Sequence, residues 1–172
     1  MWDCVLIEPL KNRYMSTPTT APNTITSADQ KAIISRVLVA IDGSDTSMYA
    51  AEHAISISKK YNAELYAVHV IRTDVDLFGP HETSELMTKM KDEGERYLNK
   101  IETKANENNV QIKTEIISST NISAGILDYA EENIIDLIVV GTTGGSGFKR
   151  LLLGSVASHV VTYAYCPVLV VK

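Results

Sequence analysis

Five short apolar runs alternate with four helical patterns between Arg36 and Val171, and this alternation constrains the fold more than any other feature of the chain. The runs are Arg36 to Ile41, Glu64 to Ile71, Val110 to Ile117, Leu137 to Val140 and Val168 to Val171. Between them, apolar residues recur at helical spacing. Ala50, Ala54, Ile57 and Tyr61 form one stripe, and Leu86, Met90, Tyr97, Ile101 and Ala105 a second. Ile122, Ile126, Leu127, Ala130 and Ile134 form a third, and Ser155 to Tyr165 the last helical segment. Parallel strands need crossover helices, so the pattern predicts an α/β fold: a doubly wound, five-stranded parallel sheet covered on both faces. After Arg36, the first run is apolar on both faces, as are the fourth and fifth, as burial on both sides requires.

Residues 16–29 are polar, contain Pro18 and Pro22, and show no periodicity. Residues 1–34 are therefore read as a disordered N-terminal extension, and residues 35–172 as one domain. The opening Met1-Trp2-Asp3-Cys4-Val5-Leu6-Ile7-Glu8 has acidic residues and too short an apolar stretch for a signal peptide. No apolar run approaches the ~18 residues of a membrane span, so a cytoplasmic protein is expected. Cys4 and Cys166 form no CxxC pair, which excludes a thiolate metal cage; Cys166 suits packing as a small apolar residue. A net charge of -5 lacks the basic footprint of a nucleic-acid binder.

In doubly wound sheets, ligands bind beyond the carboxyl ends of strands where the strand order reverses. With the runs numbered one to five and ordered 3-2-1-4-5, that point lies between the first and fourth. The loops leaving those two runs carry the suggestive chemistry. Asp42-Gly43-Ser44 follows the first, and Gly141 to Gly147 follows the fourth. Glycine admits close approach of backbone N–H groups to an anion, and a helix N-terminus adds donors and a favourable dipole. A P-loop is excluded, because Ser146 and Lys149 stand where its second glycine would follow Gly141 or Gly144. A dinucleotide fingerprint is excluded too: Arg150 occupies its sixth position after Gly145, and the motif follows the wrong strand. Asp42 also suits an ordinary turn or helix cap. His69 ends a run expected to be buried, which fits a core or rim histidine better than a ligand or base.

Gly141, two residues, Gly144, nine residues and then Gly154-Ser155 is the spacing that remains. With Leu151 to Val156, the ending Cys166 to Val171, the first run leading into Asp42, and His69-Val70, it resembles the ATP-binding branch of the universal stress protein family. The resemblance runs from about Ile34 to Lys172. It implies strand order 3-2-1-4-5, homodimers and a bound adenine nucleotide, ATP or AMP, with Mg²⁺ carried by the phosphates.

Position by position, the resemblance implies that Asp42 accepts hydrogen bonds from the nucleoside while Ala40 and Ile41 wall its pocket. Val70 would contact adenine through its backbone. Gly141, Gly144 and Gly154 would bring the backbone around the phosphates, with Ser155 and Val156 donating from the helix start, and Val140 is counted with them among the nucleotide-binding residues. No second carboxylate or base is evident at the phosphate end, so the chain is expected to bind ATP with at most slow hydrolysis and not to act as an enzyme. The alternatives are a nucleotide-free dimeric interaction module and a slow ATPase or nucleotide-dependent transferase. Val168 to Val171 is expected at a sheet edge, where the family pairs two copies across a two-fold axis. An edge masked by the N-terminal arm is the competing expectation.

Overall fold

The computed structural model describes residues 4–7, 34–73, 80–142 and 153–172. In chain order its elements are β1 (Cys4–Ile7), β2 (Arg36–Ala40), α1 (Asp45–Tyr61), β3 (Glu64–Arg72) and α2 (Pro80–Glu107). These are followed by β4 (Ile112–Ser119), α3 (Ile122–Glu132), β5 (Leu137–Gly141), α4 (Ser155–Tyr163) and β6 (Val168–Val171). One sheet has the order β1-β6-β5-β2-β3-β4. Strands β2 to β6 are parallel and reproduce the expected 3-2-1-4-5 arrangement.

Period-two alternation sorts the side chains between two cores. Val37, Val39, Leu65, Ala67, Leu137 and Val139 face α1 and α2, where Ala50, Ala54, Leu98 and Ile101 close the layer. Leu38, Val68, Ile138, Val140 and Val168 face the other way, onto Ile126, Tyr129 and Ala130 of α3 and Ala157 and Val160 of α4. At the far end of the sheet from the glycine-rich loop, the Asp136 carboxylate accepts from the main-chain N–H groups of Ser35 and Arg36 at 2.8 and 3.0 Å. That clamp fixes where the domain begins.

Two helical stripes include a residue that the fold leaves exposed. Tyr61 closes α1 but is 43% exposed, and the buried set there is Ser47, Ala50, Ala51, Ala54, Ile55 and Ser58. Ile134 lies beyond α3 with φ 52 and is 68% exposed. A left-handed residue at this position turns the chain out of the helix and back into β5, which swings the side chain off the apolar stripe.

The N-terminal extension also needs correcting. Cys4–Ile7 is not disordered: it pairs antiparallel with β6 in the register Cys4↔Val171 through Ile7↔Val168. Val168–Val171 is consequently not the edge of the sheet. The physical reason is simple: a bare apolar edge strand takes a short apolar partner, and four residues are too few to announce themselves by periodicity. The reading of residues 16–29 lies outside the described residues. Among the described residues, no helix is long and apolar enough to cross a membrane.

Candidate functional site

The strand order reverses between β2 and β5, which are parallel neighbours in the register Val37↔Leu137 to Val39↔Val139. From β2 the chain crosses to β3 and from β5 to β6, so the loops at their carboxyl ends diverge and leave a crevice. A cavity of about 340 Å³ fills it, within the range of small-molecule sites.

Nine of the ten residues singled out from the sequence line this cavity: Ala40, Ile41, Asp42, Val70, Val140, Gly141, Gly154, Ser155 and Val156. The tenth, Gly144, lies outside the described residues, as do Gly145, Gly147, Lys149 and Arg150. Sequence reasoning missed Ser47, Val68, Ile122, Ile126, Thr142 and Ala157, which complete the wall. Ile122 and Ile126 stand one helical turn apart, and that spacing marked them only as core residues.

The polar end is built from main chain. Thr142 N–H donates to the Val171 carbonyl at 2.7 Å, and Gly154 N–H donates to the Thr142 carbonyl at 2.6 Å. The chain therefore leaves β5 and returns to α4 at one point. Gly154 is the N-cap of α4 in an extended conformation, φ -71 and ψ 162, and contributes no side-chain cap. No acidic residue occupies the first turn. The N–H groups of Ser155, Val156 and Ala157 have no intrahelical acceptor by position, and their residues line the cavity. The positive end of the α4 dipole thus faces the cavity, a natural seat for an anion.

Gly141 is required by packing. A Cβ there would come within 2.9 Å of the Thr46 carbonyl carbon and 3.0 Å of the Ser47 nitrogen. Its absence lets β5 lie directly against the start of α1.

Asp42 has a structural role as well as a place in the wall. Its Oδ1 accepts from Ser44 N at 3.0 Å and from the Ser44 hydroxyl at 2.5 Å, forming an Asx turn. Ser44 in turn caps α1 by accepting from Ser47 N–H at 3.3 Å. The carboxylate is held in place by the turn while the residue faces the cavity.

At the apolar end, Ile41 N–H donates to the Val68 carbonyl at 2.8 Å, one step past the end of β2. Peptide groups point to alternate sides along a strand, so Val70 turns its N–H and C=O the same way as Val68, beyond the last residue of β2. Gly125 lets α3 close over this end; a Cβ there would lie 2.9 Å from Ser119 Cβ and 3.3 Å from Val70 Cγ1.

Behind the Asp42 loop, on the opposite face of the sheet, sits a second set of contacts. His69 Nδ1 lies 2.8 Å from the Ile41 carbonyl oxygen. Its ring meets α2 at Gly94, where a Cβ would fall 2.4 Å from His69 Cδ2. Tyr97 stands edge-on to the imidazole with ring centroids 6.0 Å apart, and its ring fills the space beside Gly43.

A family model for the universal stress protein family matches residues 34–172. Universal stress protein MJ0531 of Methanocaldococcus jannaschii is 44% identical over 139 residues, 80% of this chain and 81% of its own. The solved structure of universal stress protein UspA from Lactobacillus plantarum superposes with a TM-score of 0.75 at 30% identity, covering 81% of this chain and 98% of that one. A crystal structure of a universal stress protein in complex with cAMP superposes with a TM-score of 0.63 at 25% identity, over 81% of this chain and 98% of that one.

Proposed function

The chain belongs to the universal stress protein family, and from that premise we propose that it is an ATP-binding regulatory protein of the stress response with at most slow hydrolysis. The observation that carries this reading is the uncapped first turn of α4 facing one cavity with Asp42. The chemistry divides along the cavity. Val70, Ile122 and Ile126 offer an apolar slot for a purine, and Asp42 an acceptor for ribose hydroxyls. Gly141, Gly154 and the amides of Ser155 and Val156 form the phosphate end, and the glycine spacing assigns Gly144, outside the described residues, to the same ligand. A family member of known structure in complex with cAMP supports an adenine ligand; ATP or AMP is the form proposed here.

Mg²⁺ belongs to the same proposal. No group of three or more His, Cys, Asp or Glu suited to a metal occurs among the described residues, so phosphate oxygens and water would supply the ion's ligands. Asp42 is the one acidic residue among those lining the cavity. Phosphoryl transfer needs metal-held phosphates and a group to orient the nucleophile, so this lining favours binding over catalysis. The regulatory output proposed is a homodimer paired through Val168–Val171, a state in which β1 no longer covers that strand, in a cytoplasmic setting.

Mass analysis of small molecules released from the purified protein, followed by titration with ATP, AMP and GTP, tests the reading. The expected result is an adenine nucleotide, displaced by ATP in preference to GTP. A site that stays empty at millimolar ATP would overturn it in favour of a nucleotide-free interaction module. Rapid turnover abolished by Asp42→Ala or Ser155→Ala would make the protein an enzyme instead.

A further inference from the structure

The two sides of the sheet are protected in different ways. At one side, β4 alternates exposed polar residues with half-buried apolar ones, and its Lys113 forms an ion pair with Glu64 at 2.9 Å. Charges and polar side chains of this kind deter pairing with a further strand. Strand β6 has no such device. Its four residues, Val168-Leu169-Val170-Val171, carry no charge, and all are at most 9% exposed. What covers its outer backbone is β1, the single antiparallel strand in the sheet among the described residues.

That cover comes from outside the family domain. The family match begins at residue 34, and 81% of this chain accounts for 98% of the Lactobacillus plantarum structure. Strand β1 is four residues long, and residues 8–33 connect it to the rest. A four-residue ladder gains few hydrogen bonds, each offset by the entropy of ordering the residue that makes it. The cover is thus anchored through one neighbour only, whereas β2, β3 and β5 are each paired on both sides.

Once β1 leaves, β6 presents unpaired N–H and C=O groups on an apolar strand. The occupant that satisfies this edge without opening another is the β6 of a second copy: across a two-fold axis each edge pairs with the other, antiparallel, in the orientation β1 now adopts. We propose that β1 is an intramolecular guard of the β6 edge and that its release converts the chain to a β6-paired dimer. The guard and the second copy occupy the same backbone groups, so the two states exclude each other. This inference rests on the strand-paired dimer of the proposed function and adds the element that controls it.

The test uses the full-length chain carrying Val5→Pro and Leu6→Pro together. Adjacent residues direct their N–H groups to opposite sides of a strand, so the pair removes a donor facing β6 whichever residue supplies it. A second full-length variant, Val5→Ile with Leu6→Val, keeps the strand competent and serves as control. Sedimentation velocity should give a monomer for the unsubstituted chain and the control and a dimer for the proline variant. Hydrogen exchange at Val168–Val171 should show protected amides in both states. A dimer of equal strength in every form would leave the dimer standing and overturn the guard. Monomers throughout would overturn both, and a dimer that the prolines dissociate would make β1 an exchanged strand instead of a guard.

Discussion

The imidazole of His69 on β3 donates through Nδ1 to the carbonyl oxygen of Ile41 at 2.8 Å, tying the residue that follows β2 to β3 while the ring packs against α2 behind the cavity. Ile41 and Asp42 face the cavity on one side, while His69 and Tyr97 hold their loop from the other. The position of Asp42 is thus set partly by residues that do not line the cavity.

Replacing His69 by Leu removes that hydrogen bond and leaves the Ile41 carbonyl without its donor. A net loss of about 1 kcal/mol per hydrogen bond, more where an acceptor is orphaned, translates into roughly tenfold weaker nucleotide binding. His69→Asn, which can place an amide donor near the same point, should recover part of the loss. Titration calorimetry with ATP on both variants, with circular dichroism to verify the fold, checks the effect.

Gly43 is constrained twice. Its φ of 80 lies in the left-handed region, and a Cβ would meet Tyr97 Cζ at 2.3 Å. Gly43→Ala should therefore cost about 3 kcal/mol, the sum of backbone strain and overpacking. Adding Tyr97→Ala should recover the overpacking part and leave the strain, a non-additivity that urea denaturation of the two single variants and the double variant would resolve.

Ile134 offers the opposite opportunity. A β-branched side chain at φ 52, 68% exposed, makes little contact in return for its strain. Asn adopts this region more readily, so Ile134→Asn should raise stability by about 1 kcal/mol. Thermal melts should move upward by roughly 2–4 °C for a chain of this size.

Burial pushes the Cys166 thiol up to about 11, the largest cause being desolvation; the Tyr165 hydroxyl, which donates to the Ala130 carbonyl from a residue 46% exposed overall, is raised toward about 12 by the same cause, with solvent weakening its share. Both groups are held neutral by the fold. In the unfolded chain they ionise at their ordinary, lower values, so the unfolded state binds fewer protons in the interval between. Their contribution is complete at neutral pH and is lost as pH rises through about 9 toward 11 and 12. Melting temperature should fall across that window, and Cys166→Ala should flatten its lower part.

The sheet was legible because each parallel strand is a run of apolar residues bounded by turns, and β6 was placed residue for residue at Val168–Val171. The crevice was legible because Gly141, Gly154 and the strand order converge on it. What escaped were contacts with no local trace. Gly94 and His69 stand 25 residues apart, and Gly43 and Tyr97 are 54 apart, with only the fold to join them. Ile134 was misassigned because apolar periodicity continues past the point where the backbone turns. Strand β1 escaped because its only reason to be a strand is the edge it covers.

The central claim is that main-chain amides at the start of α4 hold the phosphates. Ser155 is the first helical residue and follows Gly154 in an extended conformation, a place where proline fits the helix and removes only the N–H. Ser155→Ala removes the hydroxyl alone. In titrations with ATP and Mg²⁺, the alanine variant should bind within about threefold of the unsubstituted chain, whereas the proline variant should bind roughly tenfold or more weakly, as loss of a charge-assisted hydrogen bond requires. A proline variant that binds ATP as tightly as the unsubstituted protein would contradict the account.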